Sequence, residues 1–112
     1  MEANKARELC IRLLKAHDLG SWKFGWLNTQ KLYGRCCHTR KAIQLSLPFV
    51  NRHTLEQVEE VIVHEIAHAL CGPGYGHGGK WKEMCLQIGC KPHQYNHDSC
   101  MAGKPFKGDN KQ

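Results

Sequence analysis

Apolar side chains at Ala6, Leu9, Cys10, Leu13 and Leu14 recur at the i, i+3, i+4, i+7 spacing of one helical face. Residues 4–18 are therefore predicted to form an amphipathic helix, with Gly20 as its stop. From Trp22 to Leu47 the period shortens. WKFGWL, RCCHT and KAIQLSL are rich in aromatic and β-branched side chains, and Ile43, Leu45 and Leu47 alternate as on a half-buried strand. These segments, with a turn near Leu32 to Gly34, predict a small antiparallel sheet of about three strands.

Pro48 interrupts this pattern. Thr54-Leu55-Glu56-Gln57 then has the form of a capping box, with Thr54 as N-cap and Gln57 reaching back to it. A helix is predicted from there through VEEVIVHEIAHAL to Gly72-Pro73, where a glycine can turn the chain and a proline cannot continue the ladder. Leu55, Val58, Val61, Ile62, Val63, Ile66 and Leu70 cover more than half of its circumference, so it should be the buried central helix. A glycine-rich loop follows. A further short helix carries Trp81, Met84, Cys85 and Ile88 on one face and ends at Gly89. The fold class expected is α+β, with residues 1–101 as one domain and 102–112 as a polar, flexible tail.

Composition narrows the setting. A chain of 112 residues builds one modest core, near the size at which a bound metal contributes noticeably to stability. The start, MEANKARELCIRLLKAHDLG, lacks the apolar run and cleavage site of a signal peptide, and no stretch is long enough to cross a bilayer. Seven cysteines, an odd number, favour free thiols or metal ligands over a disulfide framework. The expectation is a soluble, intracellular monomer, cytoplasmic or associated with DNA. The net charge of +6 is spread over the chain; it suits a polyanionic partner and equally a solvated basic surface.

The chemistry concentrates in HEIAH, residues 64–68. Positions four apart on a helix differ by about 40° around the axis and roughly 6 Å along it, so His64 and His68 present two imidazoles to one ion. Glu65 lies about 60° from His68, within reach of a water on the same metal. Zinc lowers the pKa of such a water to roughly 7, and a carboxylate can then take its proton as it attacks a carbonyl. Two histidines and a glutamate on so apolar a helix are costly to bury without a partner, which a metal supplies.

A catalytic zinc site uses three protein ligands and leaves one position open. The candidate third ligand is His77, nine residues after His68, because Cys71-Gly72-Pro73-Gly74-Tyr75-Gly76 ends the helix and lets the chain fold back. Glu83 and Cys71 are the alternatives. The pattern HExxHxxGxxH is excluded, since its glycine and third histidine would fall at Cys71 and Gly74.

These residues, with WKFGWLN, YGRCCHTRKAIQLSLPFV, VEEVIVHEIAHALCGPGYGHGGKWKEM and LQIGCKP, resemble the SprT-like metallopeptidase domains, the family that includes the Spartan proteases of DNA-protein crosslinks. The resemblance implies His64, His68 and His77 as zinc ligands, Glu65 as general base, and Trp81 as the anchor of the following helix. It also implies peptide-bond hydrolysis, in proteins attached to DNA among other substrates. Gly79-Lys80 stands where many relatives carry Pro and Glu, which adds positive charge near the cleft.

Four other groups have side chains that could carry chemistry. Cys90, His93, His97 and Cys100 have the types for a second, structural zinc but lack the CxxC pairs of a zinc ribbon. Adjacent strand residues such as Cys36 and Cys37 face opposite sides, so one is expected inward. Trp22, Phe24 and Trp26 share a face and read as core, and Tyr75 could hydrogen-bond a tetrahedral oxyanion or pack on the helix end. The function expected is a zinc-dependent peptidase; the alternative is a DNA-associated binding module with a structural zinc and no proteolysis.

Overall fold

The helix foreseen at the start of the chain is α1, Ala3–Ala16, and its buried side chains are Ala6, Leu9, Cys10 and Leu14. The structure is a computed structural model and describes residues 1–72 and 79–89, with the main chain of 98–99. Three strands follow α1: β1 (Lys23–Leu27), β2 (Gly34–Cys37) and β3 (Ala42–Ser46). Next come α2 (Leu47–Arg52), α3 (Leu55–Cys71), α4 (Gly79–Ile88) and the two-residue β4 (Asp98–Ser99). The α+β class and the order of helix, sheet, long helix and short helix are as expected.

The expected antiparallel sheet is instead mixed, in the order β1-β3-β2-β4. β3 pairs antiparallel with β2 but parallel with β1, and β4 pairs parallel with β2. The cause is topological. The segment 28–33 reverses the chain without setting β2 beside β1, and β3 fills the place between them. Side-chain alternation reports which face of a strand is buried; it carries no information on which neighbour the strand pairs with or in which direction.

The strand pattern ends before Pro48, as expected, and the same proline opens α2, a helix not foreseen. Pro48 lies in the first turn, where the missing N–H has no helical partner to lose, and Ser46 Oγ caps the helix by accepting from Phe49 N at 3.1 Å. The capping box that starts α3 is present in full: Gln57 N donates to Thr54 Oγ1 at 3.3 Å, and Thr54 N to Gln57 Oε1 at 3.1 Å. Gly72, with φ of 94°, closes α3 in a conformation glycine adopts without cost.

α3 is buried on two sides. Val58, Val61, Ile62 and Ile66 join α1, Cys36, Ile43, Leu45, Phe49 and Val50 in the main core. Ala67 meets Trp81 and Cys85 of α4 in a second cluster, with Met84 and Ile88 partly buried beside it. Leu55, expected on the buried face, is 49% exposed because it opens the helix ahead of the core. Both Cys36 and Cys37 are buried, not one of the two. Phe24 and Trp26 pack edge to face at 4.8 Å and, with Trp22, lie against the main core. Among the described residues no helix is long and apolar enough to cross a membrane.

Candidate metal centre

The capping box sets the register of α3, and that register places His64, Glu65 and His68 in the third and fourth turns. All three are buried, at 0%, 0% and 2% exposure. The two imidazoles face α4, where both lie against one indole. The ring of His68 stacks on Trp81 at 5.4 Å and 20°, and the ring of His64 meets it at 5.0 Å and 52°. Trp81 is itself fully buried, and its Nε1 donates to the main-chain carbonyl of His64 at 3.4 Å.

A second contact reaches the same turn from the sheet. His38, in the turn between β2 and β3, donates from Nε2 to the carbonyl of His68 at 2.9 Å. Its ring also forms a T-shaped pair with Trp22 at 5.9 Å and 84°. The Sγ of Cys36 lies 3.9 Å from its Nε2.

Glu65 makes itself felt towards α1. Burial pushes the Cys10 thiol up to about 12, and the negative charge of Glu65 adds to the shift. Cys71, the last residue of α3, is also pushed up, first by burial; Lys80 works against this and Glu83 with it. Of the alternatives for a third ligand, Cys71 is half-buried at the end of α3 and Glu83 is exposed on α4.

Two imidazoles one turn apart on α3 offer two nitrogen donors of the kind that zinc and its first-row neighbours take, with the Glu65 carboxylate on the same helix. Among the described residues no group of three or more His, Cys, Asp or Glu side chains is gathered as a complete metal cage. His77, the third ligand expected from the sequence, lies outside the described residues, as do Tyr75, the Cys90, His93, His97 and Cys100 group, and the tail 102–112. The sequence did not reveal the part played by His38, because a contact between the β2–β3 turn and the end of α3 has no local signature. Trp81 was foreseen as a helix anchor, but its contacts with both imidazoles were not.

None of the curated proteins matches the chain. Its fold is similar to that of the metallopeptidase zymogen jannalysin from Methanocaldococcus jannaschii, at a TM-score of 0.63 and 16% identity. That likeness covers 73% of this chain and 79% of the other. The SprT-like family matches residues 6–101, a span that takes in every strand and nearly all of the four helices, and the chain belongs to that family.

Proposed function

We propose that this chain is a zinc-dependent metallopeptidase in which His64, His68 and His77 hold one catalytic ion and Glu65 is the general base. The observation that carries the reading is the burial of His64, Glu65 and His68 together on one capped helix, with both imidazoles turned to the same neighbour. Membership of the SprT-like family and the likeness in fold to a metallopeptidase zymogen support it.

A zinc ion at this position would supply Lewis acidity to a substrate carbonyl and lower the pKa of an attacking water. Glu65 takes the proton of that water on a carboxylate oxygen and delivers it to the nitrogen of the departing amine. Burial of Glu65 keeps its carboxylate out of bulk water, so its proton transfers are directed to the reacting groups.

The substrates proposed are proteins, with DNA-associated proteins favoured by charge. Lys80 and Lys82 are exposed on α4, and Arg40 is exposed in the turn whose His38 touches the end of α3. Positive groups thus flank the candidate centre from two elements. The same surface favours the second reading, a DNA-associated module with a structural zinc.

Elemental analysis of the purified chain and an assay on a protein substrate, with and without DNA, test the proposal. One zinc per chain is expected, held weakly by His77→Ala. Glu65→Gln should keep the zinc and lose cleavage by roughly 10²–10⁴-fold. A fully loaded Glu65→Gln variant that cuts at the wild-type rate overturns the mechanism. Salt-sensitive DNA binding with no cleavage of any protein favours the binding module.

A further inference from the structure

We infer that Trp81 is a positioning residue for the metal centre, setting the planes of the His64 and His68 imidazoles before an ion arrives. The inference rests on the zinc reading above. Its basis is that one fully buried side chain touches both candidate ligands: stacked on His68 at 20°, tilted against His64 at 52°.

A zinc–nitrogen bond of about 2.0–2.1 Å needs the lone pair of each imidazole aimed at one point. The second side-chain torsion of histidine is broad, so an imidazole without a packed neighbour samples many ring planes. A flat indole against both rings restricts that torsion in each, and less freedom is then lost when a metal binds. The hydrogen bond from Nε1 to the His64 carbonyl, at 3.4 Å, is longer than a strong N–H···O bond and is the smaller contribution. Ring contact is the larger one.

Trp81 also couples the centre to α4. It is the third residue of that helix and packs with Ala67 of α3 and Cys85 of α4, so docking of α4 and alignment of the two histidines are one event.

Zinc affinity by chelator competition, measured beside chemical unfolding of the metal-free chain, separates positioning from bulk stability. Trp81→Leu should lose about 10–100-fold in affinity, the range for outer partners of metal ligands, and Trp81→Phe less, because a ring face remains. Ile88→Ala loosens α4 about 10 Å further along its axis and should bind zinc nearly as wild type does. A folded Trp81→Leu with wild-type affinity overturns the inference, as does an equal loss in Ile88→Ala.

A second measurement does not depend on how well Trp81→Leu folds. With Trp22 and Trp26 replaced by Phe, Trp81 is the remaining tryptophan of three, and its emission should change with zinc and saturate at one equivalent. Emission that ignores bound zinc overturns the inference. Wild type that takes up no zinc overturns the metal reading itself, and the inference with it.

Discussion

His38 and His68, thirty residues apart, are joined by a 2.9 Å hydrogen bond in which the imidazole Nε2 of the first donates to the main-chain carbonyl of the second. A carbonyl can only accept, so the bond specifies the His38 tautomer with its proton on Nε2. The amide of Gly72 donates to the same oxygen at 3.2 Å. The sheet therefore braces the last turn of the helix that carries the candidate ligands. His38→Ala should destabilise the chain by about 1 kcal/mol, read as a lower urea midpoint, and speed amide exchange at Gly72. An unchanged midpoint with unchanged exchange would show that this brace carries no load.

Gly34 of β2 lies against Val61 of α3. A Cβ there would lie 3.0 Å from Val61 Cγ1 and 3.1 Å from the main-chain oxygen of Gln44. The carbonyl belongs to a paired strand and cannot swing aside. Gly34→Ala is expected to cost roughly 1–3 kcal/mol, the range for overpacking a well-filled core. Denaturant unfolding with no shift in midpoint would contradict this.

Cys10 gives the metal-free chain a dependence on alkaline pH. Below pH 9 both folded and unfolded chains keep the thiol proton, and Cys10 contributes nothing. Between the ordinary value of 9.0 and the folded value of about 12, only the unfolded chain releases it. Unfolding then sheds a proton, so stability falls as pH rises, by up to about 1.4 kcal/mol per unit. Melting curves from pH 8 to 11 should fall more steeply for the wild type than for Cys10→Ala. Parallel curves would assign the alkaline loss to other groups.

Metal removal should lower the melting temperature, since an ion bound only by the folded chain stabilises it by mass action. At 100 times its dissociation constant, free zinc contributes about 2.7 kcal/mol. That increment should vanish in His64→Ala and His68→Ala, leaving chelator without effect on either. A zinc response preserved in both variants would move the ion elsewhere.

How far the sequence could be read depended on whether each feature is local. The Thr54 capping box, the Gly72 stop and the stripe through Trp81 and Cys85 are short-range patterns, and each appears where its spacing placed it. The burial of His64, Glu65 and His68 followed from the apolar residues around them. Pro48 ends the strand pattern as read, but the short helix it opens went unseen, because a proline that ends a strand can equally open a helix when Ser46 precedes it as a cap. The burial of both Cys36 and Cys37 depends on elements that cover the two faces of β2, and strand alternation is silent on what covers a face. Strand order and the reach of His38 to His68 are long-range relations, set only when the whole domain packs.

The insertion of β3 between β1 and β2 has a kinetic consequence. While the first 41 residues alone have been made, the two strands they contain have no shared ladder, and the sheet has no centre. The β2–β3 hairpin has the shorter loop to close and should form first, with β1 docking afterwards across a separation of nineteen residues. Only then does α3 acquire its bed. In a folding experiment, order around His64 and His68 should therefore appear in the slow phase that completes the sheet, after the hairpin is already protected.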